Sequence, residues 1–174
     1  RARYSGRPVQ GAVIVSMENQ TVEVILRPAE EDDAQGISNV LAALKAAGKR
    51  RTAGDAEEVM GHYITHPDRI QCTVAEVDGQ VIGFQSLRLA TLGNPYGTPE
   101  GWGIIGTHIH PSAARCGVGK RLAGQTIKVA LVAGLRHVEA QIGTENAAGL
   151  AYYGSIGFVD SDEAGVKVLN LPEI

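Results

Sequence analysis

A turn with two glycines, followed by a long helix-patterned run, limits the fold of this chain more than any other feature. Residues 114–120 read Ala-Arg-Cys-Gly-Val-Gly-Lys and follow a strand-like segment at 102–110, which Pro111 ends. Apolar residues then recur with the 3.6-residue helical period over 118–133, and Gly134 suits a helix end. The pattern predicts a strand, a tight turn and a long helix, in that order.

This turn has the chemistry of an anion site. The first amides of a helix have no internal acceptor, and the helix dipole adds partial positive charge there. Gly117 and Gly119 leave those amides open to a ligand, while Arg115, Lys120 and Arg121 add charge around the turn. A diphosphate is the natural ligand of such a turn. A plain strand-to-helix connection without a ligand is the alternative that the segment leaves open.

Two other phosphate-binding motifs do not fit the same residues. A Walker A loop needs Gly at 114 and Ser or Thr at 121, where this chain has Ala114 and Arg121. A dinucleotide-binding turn needs Gly or Ala at 122, where Leu122 stands. The turn is therefore typical of neither a nucleotide phosphotransferase nor a dinucleotide-binding protein.

The rest of the chain alternates strand and helix patterns. Asp78-Gly79 separates two strand patterns at 72–77 and 80–89, and a type I′ hairpin turn favours such a pair because it needs positive φ. The other segments with a strand pattern are 22–26, 138–142, 158–159 and 166–169. The other segments with a helical pattern are the one between Asp33 and Gly48, 55–64 and 147–155. This order predicts one mixed α/β domain.

A length of 174 residues suits a single core. We assign the domain to residues 21–174 and expect residues 1–20 to form a loosely held N-terminal arm, because chain ends are often poorly ordered. A short strand at 13–15 is the alternative for that segment.

Composition excludes several partners. The net charge of −3 gives no general attraction to nucleic acid, and no segment has the length of a membrane span. Cys72 and Cys116 match neither a metal-site spacing nor a disulfide scaffold, so we expect no metal and a reducing, cytoplasmic location. The first residues lack the pattern of a signal peptide.

A second motif lies downstream of the glycine turn. Tyr153 stands seven residues after Asn146, and Gly157-Phe158 follows it. Together with Pro111 and the turn at 114–120, these residues resemble the motifs of the GNAT superfamily of acetyl-CoA-dependent N-acetyltransferases. The resemblance spans roughly residues 22–170 and implies a central, mostly antiparallel sheet flanked by helices.

The resemblance also implies roles for individual residues. Acetyl-CoA would be the cosubstrate, and its acetyl group would pass to the amine of a small molecule by direct attack. Tyr153 would be the general acid near the sulfur, and Asn146 would bond the pantetheine arm. Backbone groups that pair with pantetheine would come from Thr107, His108 and Ile109. Amides that hold the diphosphate would come from Arg115, Cys116, Gly117, Val118, Gly119 and Lys120. A homodimer is an expectation at family level only.

Each of these roles has a simpler structural alternative. Asn146 could be a plain helix cap and Tyr153 a core residue. No histidine or asparagine is placed by a motif to activate Cys116, so we interpret it as a loop residue that touches the cosubstrate rather than as a nucleophile.

The chain also departs from the family pattern. Ala114 stands where Gln or Arg is usual, and Gly149 where Ala is common. No glutamate lies near Gly103 or at Gln141, where members of the family place one. These departures favour an alternative hypothesis, a catalytically silent module that binds acyl-CoA or a protein partner, whereas Tyr153 favours the enzyme.

The general base is left open by the sequence. An alkyl amine with a pKa near 10.4 costs about 4.6 kcal/mol to neutralise at pH 7, so some group must accept a proton. His110 is the catalytic candidate that we assign, with His108 as an alternative. A water relay from Glu76 or Glu100 fits the sequence equally well.

Overall fold

An eight-stranded sheet forms the centre of the molecule, with the strands in the order β1-β2-β3-β4-β5-β6-β8-β7. The computed structural model describes the backbone of residues 12–17 and 20–173 and the side chains of residues 21–173. The strands are β1 (Ala12–Met17), β2 (Gln20–Pro28), β3 (Arg69–Val77), β4 (Gln80–Leu89), β5 (Gly103–Ile109), β6 (His137–Gln141), β7 (Val159–Asp160) and β8 (Val166–Asn170). The helices are α1 (Ala34–Ala46), α2 (Ala56–Val59), α3 (Val118–Val132) and α4 (Ala147–Ser155).

The predicted mixed α/β fold with a mostly antiparallel sheet is confirmed. Among the neighbouring pairs that the structure describes, β5 and β6 are parallel and the rest are antiparallel. The predicted hairpin joins β3 to β4 through Asp78 and Gly79, whose φ values are 49° and 77°. These two positive φ values are what the Asp-Gly pair favours.

Two predicted segments differ in detail from the structure. Residues 12–17 pair with β2 as an antiparallel strand, so the strand alternative holds there and the expected arm is wrong for those residues. Residues 1–11, 18 and 19 lie outside the described residues, and the domain limits stay a prediction. The predicted helix at 55–64 is α2 followed by a single π-helical turn, Met60–Ile64.

Helices cover both faces of the sheet. On one face, α1 and the π turn bury Ile37, Leu41 and Tyr63 against Val74 and Phe84. On the other face, the first half of α3 packs on β2 and β3, while its second half and α4 pack on β4, β5 and β6. No helix among the described residues combines the length and the apolar character needed to cross a bilayer.

The strands β5 and β6 separate after two residue pairs. Gly103 pairs with Val138 and Ile104 with Glu139, and the register ends there. The strand β5 continues to Ile109 along β4, and no described strand pairs with its opposite edge from residue 105 onward. A sheet edge of this kind presents free backbone N–H and C=O groups to a ligand. We call the opening between the diverging β5 and β6 the splay.

Candidate active site

The glycine turn lies at the end of β5 and leads into α3. A short 3₁₀ helix, Pro111–Ala113, follows β5 and is followed by two residues with positive φ, Arg115 (60°) and Gly117 (81°). A side chain at φ near +60° is rare, since only glycine adopts that region without strain. Arg115 and Gly117 are both exposed, so the turn faces solvent.

No side chain in the part of the chain that the structure describes caps the N-terminus of α3. In contrast, the N-cap side chains of α2 and α4 accept hydrogen bonds from their own helices. The amide of Arg121 donates to the carbonyl of Gly117, and the amides before it in α3 have no acceptor in the preceding turn. The structure therefore brings the predicted amides of residues 115–120 together at one exposed helix end. Such an end binds anions.

Tyr153 reaches from α4 onto β5. Its side chain is 6% exposed and packs against Phe158 at a ring-centroid distance of 5.0 Å. The Tyr153 hydroxyl lies 2.8 Å from Oγ1 of Thr107, on the strand whose free edge lines the splay. Burial raises the pKa of Tyr153, and the hydrogen bond to Thr107 opposes that shift only in part. The phenol is therefore protonated over the whole neutral range.

Gln85 is a member of this polar cluster that sequence reasoning missed. It is fully buried on β4, and Nε2 donates to Thr107 Oγ1 at 2.8 Å and to the hydroxyl of Tyr152 at 3.1 Å. Its Oε1 is buried without a hydrogen-bond partner among the described residues. A glutamine in a strand pattern gives no signal of such a position, because the cluster is assembled by three elements.

The hydroxyl of Tyr152 has a defined structural role. It donates to the carbonyl of Gly119 at 2.6 Å, and its ring packs directly over that residue. A Cβ added at Gly119 would lie 2.9 Å from the Tyr152 ring, so glycine is needed there for packing as well as for ligand access. Tyr152 thus ties α4 to the first turn of α3.

Asn146 is the N-cap of α4. Its Oδ1 accepts a hydrogen bond from the amide of Gly149 at 2.9 Å, which is the structural alternative considered above. Its Nδ2 keeps donor capacity, so a bond to pantetheine stays a prediction. A Cβ at Gly149 would lie 2.6 Å from Nδ2 of Asn146, so an alanine there would require the Asn146 side chain to shift.

The two candidate histidines have different surroundings. Nδ1 of His110 accepts from the amide of Ser112 at 3.1 Å and lies 2.8 Å from its hydroxyl, so this side chain caps the short 3₁₀ helix. His108 projects from the opposite face to Thr107 and stacks on Phe84 at 4.8 Å. Burial, with a contribution from Arg50, lowers the pKa of His108 to about 3, so its ring is a weak base.

The two carboxylates proposed for a water relay lie in different surroundings. Glu76 forms an ion pair with Arg27 at 2.7 Å, on the β2–β3 side of the sheet and two strands away from β5. Glu100 is exposed at the end of the loop before β5. Glu76 therefore lies away from the splay, whereas a relay from Glu100 stays a prediction.

A comparison with protein-family models shows to which family the chain belongs. The model described as the acetyltransferase (GNAT) family matches residues 40–158. The chain belongs to the GNAT acetyltransferase family. Members of this family use acetyl-CoA, and GNAT structures have been solved with acetyl-CoA or CoA bound.

Solved GNAT structures share this fold at low sequence identity. The GNAT domain of S. lividans PAT is 20% identical, with a TM-score of 0.72 over 95% of this chain and 100% of that one. The PaiA N-acetyltransferase from Thermoplasma acidophilum, in complex with coenzyme A, is 15% identical, with a TM-score of 0.67 over 85% and 99%. A proposed acetyltransferase from Salmonella typhimurium with acetyl-CoA is 20% identical, with a TM-score of 0.67 over 87% and 95%. No curated protein matches the sequence.

Sequence reasoning did not identify Glu139, a carboxylate on β6, the first strand after the glycine turn and α3. Glutamine stands at 141, but Glu139 lies two residues earlier and therefore on the same face of β6. It is buried, and Oε1 accepts hydrogen bonds from Thr98 at 2.7 Å and from Gln141 at 3.0 Å. The splay thus has a carboxylate on the face opposite to Tyr153.

Proposed function

We propose that this GNAT protein is an N-acetyltransferase that moves the acetyl group of acetyl-CoA to a primary amine by direct attack. The observation that carries the proposal is the alignment of three features along β5. These are the free backbone edge after Ile104, the uncapped N-terminus of α3 and the Tyr153 hydroxyl beside Thr107.

Each feature suits one part of acetyl-CoA. The amides of residues 115–120 would hold the diphosphate, with Arg115 and Lys120 adding charge around it. The free edge at residues 107–109 would pair with the pantetheine amides, which place the thioester in the splay. Ala114 offers no side-chain contact to the phosphates, so the backbone amides would provide most of the binding.

The reaction follows from this placement. A neutral amine nitrogen attacks the thioester carbonyl carbon, a C–N bond forms, the C–S bond breaks and sulfur leaves as a thiolate. The nitrogen loses a proton and the sulfur gains one, so the products are an amide and a free thiol. Free N–H groups on the β5 edge would stabilise the developing oxyanion.

Tyr153 would act on the leaving sulfur. Thr107 accepts from Gln85, and when it donates its own proton to the Tyr153 oxygen, the phenol proton is free to point toward the sulfur. A thiol has a pKa near 8.5, below the raised pKa of Tyr153. The phenol is the weaker acid, so it would stabilise the thiolate through a hydrogen bond, and its proton would pass to sulfur only as the proton that the amine loses replaces it.

The proton acceptor for the amine remains assigned to His110. Burial lowers the pKa of His108 to about 3, and so weak a base favours His110 for this role. If His110 accepts the proton, His110→Ala lowers kcat. An unchanged kcat would indicate that a water molecule accepts the proton instead.

A thiol-release assay with acetyl-CoA across a panel of primary amines tests the activity. We expect free CoA to appear only when an amine is present, and the product to gain one acetyl group by mass. The matched control is Tyr153→Phe, which keeps the ring that packs on Phe158. Binding of CoA without thiol release for any amine would favour the silent acyl-CoA-binding module instead.

A further inference from the structure

Two buried charges lie in one row across the sheet, on the face opposite to Tyr153. Arg88 on β4 is the register partner of Ile104 on β5, and Ile104 is the partner of Glu139 on β6. Register partners project from the same face, and neighbouring strands lie about 4.8 Å apart, so the two charged residues are roughly 10 Å apart at their backbones. We call these three residues the charged row.

Among the described side chains, neither charge in the row forms an ion pair. Arg88 and Glu139 are each 8% exposed, and within residues 21–173 neither forms an ion pair, with the other or with any other side chain. Buried charges in proteins are normally paired, because desolvation of an isolated charge is costly. The fold therefore buries a cation and an anion apart from each other, and no ion pair among the described residues offsets the free energy of their desolvation.

The hydrogen bonds of both side chains leave capacity for a ligand. Arg88 donates through Nη2 to the carbonyl of His62, and its guanidinium lies 6.0 Å from the centre of the Tyr63 ring. Both hydrogen bonds that Glu139 accepts from described residues go to Oε1. A guanidinium has five N–H donors and a carboxylate two oxygens, so each group can bind a further partner.

The position of the row connects it to the proposed reaction. Ile104 belongs to the last pair before β5 and β6 separate, so the row lies at the closed end of the splay. Ile104 itself is only half-buried, whereas both its neighbours in the row are buried. Tyr96 and Thr98, from the loop before β5, cover the Glu139 end.

We propose that the amine acceptor is a zwitterion whose anionic group binds Arg88 and whose ammonium group binds Glu139 before transfer. This inference rests on the proposed function and names its substrate class. A carboxylate, a phosphate or a phosphonate has the required chemistry, because guanidinium binds all three through paired hydrogen bonds. The separation of the two charges suits a small molecule with a few atoms between its amine and its anion.

The surroundings of Arg88 support an anion rather than a second cation. Burial, and after it the charge of Arg88, lowers the pKa of His62 to about 4, so the His62 ring is neutral at pH 7. Arg50 acts on the His62 ring as well, and within residues 21–173 no carboxylate forms an ion pair with Arg88. The Arg88 end is therefore positive, and the Glu139 end is negative.

Matched acceptors test the anion end. The panel contains L-amino acids, their carboxamides, the corresponding decarboxylated amines and aminoalkylphosphonates, each assayed for kcat/KM with the full chain. Because a hydrogen bond to a charged group is strong, we expect roughly 10- to 100-fold higher kcat/KM for the anionic member of a pair. Comparison of carboxylates with phosphonates identifies the anion.

Variants of Arg88 and Glu139 test whether the charged row causes the preference for anionic acceptors. Arg88→Met should lower kcat/KM for the anionic acceptor to that for its carboxamide, while KM for acetyl-CoA is unchanged. Arg69→Met is the control, since Arg69 is exposed and caps the carbonyl of Ile64 on the same turn. Glu139→Gln should weaken binding of the free amino acid but not of its N-acetyl product, which has no ammonium group.

Equal kcat/KM for amino acids and carboxamides in the wild-type protein would overturn the proposal. If Arg88→Met does not fold, this wild-type comparison still decides, together with Arg88→Lys, which keeps the charge. If acetyl-CoA binds but no amine in the panel is acetylated, the proposed function fails. In that case, calorimetry measures the binding of the amino acids and of their carboxamides without turnover. Equal affinity for an amino acid and its carboxamide would refute the proposed role of the charged row.

Discussion

Removal of the Tyr153 hydroxyl tests how the candidate site handles the leaving sulfur. Tyr153→Phe keeps the ring against Phe158 and removes one buried hydrogen bond, the 2.8 Å contact with Thr107. One such bond contributes about 1 kcal/mol, so we expect the melting temperature to fall by about 2–4 °C in a domain of this size. Loss of a positioned proton donor should lower kcat by about 100-fold or more.

Thr107→Val separates the position of this hydroxyl from its presence. The change removes the contact with Tyr153 and leaves the Nε2 group of Gln85 with a single partner, the Tyr152 hydroxyl at 3.1 Å. An unsatisfied buried donor costs about 1–3 kcal/mol, so this variant should be the less stable of the two. Its kcat should fall less than that of Tyr153→Phe, because the phenol is still present.

The double variant decides whether Thr107 acts through Tyr153. Steady-state thiol release gives kcat for the wild-type protein, both single variants and the double variant, and thermal unfolding gives their stabilities. We expect Thr107→Val to have no further effect on kcat once Tyr153 is phenylalanine, which is the non-additivity of residues that share one contact. Independent, multiplicative losses of kcat would refute the reasoning, as would an unchanged kcat in Tyr153→Phe.

Three further predictions concern the supports of the site. Gly119→Ala should weaken CoA binding and destabilise the fold by about 1–3 kcal/mol, because the added Cβ would lie 2.9 Å from the Tyr152 ring. The control is Gly124→Ala on the same helix, where a Cβ meets open space, and it should be neutral or stabilising. The Arg27 guanidinium holds the pKa of Asp33 below its usual range. Arg27→Met should therefore lower the free energy of unfolding at neutral pH, and this loss should shrink below about pH 4, where Asp33 becomes protonated. Equal losses at pH 7 and pH 3 would contradict this. Burial raises the pKa of Cys72 to about 12, so an alkylating reagent should modify this thiol at pH 7 only on unfolding, as mass spectrometry over a denaturant series would show.

Local sequence signals predicted the parts of the fold that depend on neighbouring residues. The hairpin at Asp78-Gly79 and the helix after the glycine turn were predicted because positive φ and helical periodicity are properties of short segments. The strand at 12–17 was not favoured, since a short apolar segment becomes a strand only when another strand pairs with it. The structure supplies that partner in β2.

The sequence predicted only those parts of the candidate site that lie close together along the chain. The turn amides are consecutive in the chain, and Tyr153 follows a fixed spacing from Asn146. Gln85 and the charged row were not predicted, because they depend on the register between strands distant in sequence. A shift of one residue in that register would move every side chain to the other face, which no pattern within a single strand reveals.

A crystal structure of the chain with CoA tests the central claim most directly. The account predicts that the diphosphate oxygens accept hydrogen bonds from backbone amides of residues 115–120. It also predicts that pantetheine runs along the free edge of β5 and that the sulfur lies within hydrogen-bond distance of the Tyr153 hydroxyl. A diphosphate bound elsewhere, with those amides facing solvent, would contradict it.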